Sequence, residues 1–162
     1  MNKTYTPTKN NKPVMNWHFV DASDQILGKL ATNVAKVLMG KNKAQYSTHI
    51  NVGDKVVITN AALIKVTGKK ATDKVYNWYT GFPGGLKSLT FEKMMEKDPT
   101  RAIRIAVSGM LPKNKLRDVR LANLYVYKDT NHPHTSQENA KNTPVKEKKT
   151  KVKVEAAKEI KE

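Results

Sequence analysis

Apolar residues recur along this chain in two rhythms, every third or fourth position in some stretches and every second position in others. Trp17-His18-Phe19-Val20 reads as a short buried strand. Leu27, Leu30, Ala31, Val34 and Leu38 then repeat at helical spacing, while Lys29, Asn33 and Lys36 fall on another face. Ser23 or Asp24 is placed to cap that helix and Gly40 to end it. Residues 55–59 read as a second strand, after which Asn60 caps a short helical turn through Ile64. Segments 66–70 and 75–80 read as extended chain on either side of a polar turn, with Val75, Asn77 and Tyr79 facing opposite to Tyr76, Trp78 and Thr80. A brief helix over 91–96 starts from Ser88 or Thr90. Asp98-Pro99 is a stronger start, a capping acid followed by proline at the first helical position. Ala102, Ile103, Ala106 and Val107 supply that next helix's apolar face, and Gly109 with Pro112 stops it. Residues 124–127 form the last strand. Strands alternating with helices predict an α/β fold whose sheet is covered by helices on both sides.

The ends break this pattern. Residues 1–13 are polar and carry two prolines, too little apolar surface to offset their ordering, and read as a flexible basic arm. They have no apolar segment after them and so do not read as a secretory signal. From residue 138 the composition turns to Lys, Glu, Thr and Val with no aromatic residue, a tail that is disordered or becomes helical on binding. The body is therefore 14–137, between an arm at 1–13 and a tail at 138–162. A chain of 162 residues favours one such domain.

Charge narrows the class of partner. Lys and Arg number 30 against 14 Asp and Glu, a net charge of +16, which draws polyanions and holds them by counterion release. No run of about 20 apolar residues spans a bilayer, and the cations are spread through the chain rather than gathered on one amphipathic helix. Nucleic acid is favoured over a membrane. The absence of cysteine excludes disulfides, thiol nucleophiles and cysteine-ligated metals, and it fits a reduced cytoplasmic protein.

The cations gather where elements end. After the first helix, residues 40–49 carry Lys41, Lys43, Tyr46 and His49, a charge pair with a stackable ring. Thr67-Gly68-Lys69-Lys70 sets two cations at a tight turn, with Lys74 nearby. Charged residues that merely keep an exposed turn soluble are the competing reading there. Gly109-Met110-Leu111-Pro112-Lys113-Asn114 closes an apolar helix and opens a basic loop holding Lys113, Lys115, Arg117 and Arg120.

Enzymatic readings find little to stand on. Gly81-Phe82-Pro83-Gly84-Gly85-Leu86-Lys87-Ser88 nearly fits the phosphate-cradling pattern G-x-x-x-x-G-K-[ST], but Leu86 stands where the second glycine is required and obstructs the backbone geometry. It reads better as a mobile glycine-rich loop that brings Lys87 to an RNA backbone. His132-Pro133-His134, with only Asp129 and Glu138 around, is a weak metal set and reads instead as a loop hydrogen-bonding to RNA or water. His18 reads as a packed strand residue. No Ser-His-Asp, H-E-x-x-H or paired-carboxylate arrangement stands out. The competing classes are a general nucleic-acid architectural protein, which would bind duplex DNA as well, and a nucleotide-dependent enzyme built on the defective glycine loop.

Segments 21–31 and 81–87, with Gly40-Lys41, Gly53-Asp54, Asn60-Ala61, Thr67-Gly68-Lys69-Lys70 and the hexamer at 109–114, resemble the L-thirteen family of bacterial large-subunit ribosomal proteins, and they occur in that family's order. The resemblance spans 14–137. It implies a three-layer α/β/α fold with a small, largely parallel central sheet, and a structural, non-enzymatic role without cofactor or small-molecule substrate. It also implies 23S rRNA and neighbouring large-subunit proteins as partners, with early entry into subunit assembly. Two departures stand out. The family's basic Arg and His pair before the glycine loop is replaced by Trp78 and Tyr79, and its Gly-Arg after Leu116 by Arg117-Asp118.

Overall fold

The computed structural model describes residues 14–142, so the arm at 1–13 and the tail beyond 142 lie outside the described residues. Three parallel strands, β1 (Trp17–Asp21), β2 (Lys55–Thr59) and β5 (Leu124–Val126), form the central sheet in the order β1-β2-β5. Trp17 pairs with Lys55 at one end of the first ladder and Asp21 with Thr59 at the other. A separate antiparallel hairpin joins β3 (Val75–Tyr79) to β4 (Leu86–Thr90).

The central strand explains the layering. Val56, Val57 and Ile58 are all buried, although successive strand residues point to opposite faces. Both faces are therefore covered, as parallel sheets require. On one side Val56 and Ile58 join the apolar stripes of α1 (Leu27–Met39) and α4 (Pro99–Met110), including Leu30, Val34, Leu38, Ile103 and Val107. On the other, Val57 lies level with Phe19 and Tyr125 in the two ladders. There Trp17 stacks on Phe19 and Tyr125 at 6.5 and 5.6 Å, and α6 (Thr135–Asn142) rests against β1. The α/β expectation holds, with one layer of two long helices and one much thinner. The last helix runs through Gln137 to Asn142, past the point where composition changes.

Several local expectations are met. Gly40 ends α1 in the left-handed conformation, φ 78°. Asp98 caps α4 by accepting from the amides of Thr100 and Arg101, which contributes about 1 kcal/mol. Of the two starts expected for α3 (Phe91–Lys97), Thr90 rather than Ser88 stands at its head, without a side-chain cap bond, and Met94 is core.

Others are corrected. Neither Ser23 nor Asp24 caps α1; Asp24 itself sits at φ 60°, and the helix begins after Ile26, where the amide of Leu27 donates to the carbonyl of Lys65. A tertiary bridge replaces the side-chain cap. Asn60 stands at the start of a 3-10 turn, Ala61–Leu63, but its side chain donates to Asp21 rather than capping it. Segment 66–70 is not a strand: Lys70–Asp73 forms the short helix α2, and β3 pairs forward with β4. The glycine-rich stretch is accordingly a hairpin turn, with Gly81 and Gly84 at φ 93° and 71°, and Lys87 belongs to β4. The basic loop after Pro112 winds into α5 (Leu116–Leu121), which carries Arg117 and Arg120.

Candidate nucleic-acid interface

The chain leaving α1 makes a long excursion, 40–54, before entering β2, and a buried carboxylate holds it. Asp54 is 6% exposed. Its carboxylate accepts from the backbone amide of Asn16 at 2.8 Å, contacts His18 Nε2 at 2.9 Å and pairs with the Lys43 ammonium. Lys43 also donates to the carbonyls of Val14 and Val52 at 2.9 and 3.1 Å. Lys43 is thus a half-buried strut inside the excursion, its ammonium already engaged by one carboxylate and two carbonyls. Lys41, Tyr46 and His49 remain exposed around it, His49 Nδ1 lying 2.7 Å from Ser47 Oγ.

Burial alone would push the Asp54 carboxyl up, but the bonds from Lys43, Asn16 and His18, with the Lys43 charge, outweigh it and hold the group below its ordinary 3.8. A carboxylate depressed in the folded state contributes stability above its unfolded value and loses it as pH falls through the folded one. Asp54→Asn should therefore lower stability at pH 7 and remove part of the decline expected below about pH 4. Urea melts of both chains from pH 7 down to pH 3 measure this. Parallel curves would refute it.

A second cationic group forms around α2. Lys69 and Lys70 are exposed beside Gly68, and Lys70 Nζ donates to Thr67 Oγ1 at 3.3 Å. Lys74 lies over the Tyr76 ring at 5.3 Å. Lys70 and Lys74 together line a groove of about 440 Å³ whose opposite walls include Gly28 of α1 and Ile105, Gly109 and Met110 of α4. Lys113 and Lys115 follow directly from that end of α4 and are exposed. The turn at 67–70 and the loop after Pro112, far apart in sequence, thus share one end of the molecule.

The hairpin makes a third group. Trp78 pairs directly across from Lys87 in β4, and the Arg101 guanidinium lies 5.4 Å from the Trp78 ring. Trp78 is half-buried while Tyr79, on the other face, is exposed. Arg101 was missed in the sequence because it sits on a helix one turn from a cap, where a cation reads as an ordinary solvated face.

The remaining candidates are drawn partly or wholly into the packing. Arg120 is 1% exposed and turns into the body. Its Nε lacks a hydrogen-bond partner. Arg117 is partly buried, with Nε 3.5 Å from the Asp118 carboxylate, a pairing too loose to count as a hydrogen bond. His132 and His134 are not a free loop. His134 packs at 4.9 Å from Trp17 and 4.7 Å from Tyr125, and its Nε2 lies 3.1 Å from the Tyr127 hydroxyl. Desolvation, then the neighbouring His132 and Lys55, lowers its pKa below 6.5. His132 is 5.6 Å from Phe19 and 3.4 Å from Glu138. Both rings are aromatic fill that closes the thin face of the sheet. Among the described residues no group of three His, Cys, Asp or Glu is placed to hold a metal, and no helix is long and apolar enough to cross a membrane.

A small α/β body that holds exposed lysines at separate loop ends, beside few carboxylates, defines a basic scaffold protein. A family model described as Ribosomal protein L13 matches residues 15–133, and the chain belongs to that family. It is a family of ribosomal structural proteins rather than enzymes. The chain is similar to the large ribosomal subunit protein uL13 of Legionella pneumophila (strain Corby), 48% identical over 136 residues that cover 84% of this chain and 94% of that protein. The uL13 of Pseudomonas paraeruginosa is 50% identical over 136 residues, 84% of this chain and 95% of its own. That of Thermotoga petrophila is 51% identical over 121 residues, 75% and 81% of the two chains.

Proposed function

We propose that this protein is a cytoplasmic structural constituent of the large ribosomal subunit that binds 23S rRNA and supports early subunit assembly. The observation that carries this reading is the placement of Lys41, Lys69, Lys70, Lys87, Lys113 and Lys115, all exposed and none with a described carboxylate partner, on loops and ends fixed by one packed core. Cations held in this way meet phosphates without reorganising, and several weak contacts joined on one body raise the effective concentration of each. Tyr46 and His49 add stacking and hydrogen-bonding groups suited to RNA, whose shape is read more than its sequence. Names of the similar proteins, which place them in the large subunit, support the partner set of rRNA and neighbouring subunit proteins.

Sedimentation of native particles tests the reading. The chain should travel with large subunits through a high-salt wash and should prefer 23S rRNA over duplex DNA in competition. A chain released at moderate salt, or one that binds both nucleic acids equally, would remove it.

A further inference from the structure

The groove between α1, α2 and the end of α4 is larger than a lysine-lined turn needs. Its volume of about 440 Å³ lies within the range of sites that enclose small molecules. Leu27, Val66, Ile105 and Met110 give it an apolar lining, and Ile105 and Met110 are 39% and 41% exposed. Lys70 and Lys74 stand on one side. Among the described residues no acidic side chain lines it.

Three details point to an occupant. Gly28 and Gly109 both line the groove, and a Cβ added at either meets nothing within 4 Å, so the two helix backbones lie open to whatever enters. The Tyr76 hydroxyl, also in the lining, is buried without a hydrogen-bond partner. Such a group is costly to leave unpaired, and a ligand gives it a partner once the groove wall shifts to uncover it. Helix α1 begins here with no acidic residue in its first turn, and the Lys65 carbonyl that stands in for a side-chain cap takes the amide of Leu27 without supplying a formal negative charge.

We propose that this groove receives one unstacked nucleotide of the large-subunit rRNA, its base against Ile105 and Met110 and its phosphate on Lys70 and Lys74. The proposal rests on the rRNA-binding reading above and adds a defined nucleotide site to it. Charge selects the occupant: two ammonium groups and a helix start attract an anion and repel the basic segments common in a protein of this composition. An apolar floor beside cations is also what splayed RNA bases use, with the base removed from water and the backbone held at the rim. Lys113 stands three residues beyond Met110, within about 11 Å by chain geometry, and extends the cationic track away from the groove.

Filling the groove tests this without touching a charge. Gly109→Leu places a side chain in open space on a helix, a change that favours helix formation. It should weaken 23S rRNA binding at least tenfold with the salt slope unchanged, whereas Lys70→Ala with Lys74→Ala should flatten the slope by about 1.4. In parallel, the unsubstituted full-length chain is crosslinked to 23S rRNA carrying 4-thiouridine, and the crosslink should fall on residues 105–110. This second measurement decides the matter even if the leucine variant folds poorly. Parental affinity in Gly109→Leu, or crosslinks that avoid 105–110, would overturn the nucleotide site. So would a leucine variant that keeps rRNA affinity but loses a neighbouring subunit protein. Failure of the unsubstituted chain to bind 23S rRNA would instead remove the underlying reading.

Discussion

Replacing Lys69, Lys70, Lys113 and Lys115 together by alanine should flatten the dependence of rRNA affinity on salt, making the slope of log K against log salt shallower by roughly 3 to 4. The four residues are exposed, and they converge at the end of the molecule where α4 stops and α2 begins. Each phosphate neutralised releases about 0.9 of a counterion from a duplex, so four lost contacts give that change. Filter binding from about 50 to 200 mM salt measures it. The control is as informative as the variant. Arg120→Ala should leave the slope as it is, because that guanidinium is buried, and should reduce thermal stability instead. An unchanged slope in the lysine variant would show that RNA docks elsewhere.

The largest effect on folding should come from Gly53→Ala. A Cβ built at Gly53 falls 1.8 Å from the carbonyl oxygen of Leu38 and 2.5 Å from its carbon, both backbone atoms that no side-chain rotation can clear. The approach is close because the chain returns along α1 here: the next amide, of Asp54, donates to the carbonyl of Val37 at 3.2 Å. Accommodating a methyl means moving the 40–54 excursion off the helix, with loss of the Asp54 contacts to Lys43, His18 and Asn16. We expect a destabilisation of about 3 kcal/mol, at the upper end of overpacking. In a domain of this size that is a fall in Tm of roughly 6–12 °C. A calorimetric melt within about 2 °C of the parent would show that the excursion yields more easily than its contacts imply.

Where a residue's environment is set by its neighbours in sequence, the chain was legible. The apolar stripe of α1, the Asp98-Pro99 start and the central strand at 55–59 were each readable from spacing alone. Reading failed where a distant segment decides the outcome. The first amide of helix α1, that of Leu27, donates to the Lys65 carbonyl, so the expected caps at Ser23 and Asp24 are unused. Segment 66–70 has strand-like composition, but β3 finds its partner on the far side of a glycine turn. The candidate interface divides in the same way. Exposure of Lys41, Lys69, Lys70, Lys87, Lys113 and Lys115 follows from their position at element ends. The inward turn of half-buried Lys43 depends on Asp54, and the packing of half-buried His132 and His134 on aromatic rings from β1 and β5. Charge in a sequence locates candidates, while packing decides which of them reach solvent.

Helix α1 also sets a distance. Its N-terminal residues line the groove and its C-terminal end launches the loop bearing Lys41, Tyr46 and His49, so thirteen helical residues hold the two apart by about 20 Å. Packed along one side against α4 and the sheet, it behaves as a calliper with fixed jaws. Inserting a single residue near its middle would rotate one jaw about 100° relative to the other, turning half of the buried stripe from Leu27 to Leu38 off the core. Under the proposed rRNA-binding reading, two RNA segments would then no longer be held in register with one another.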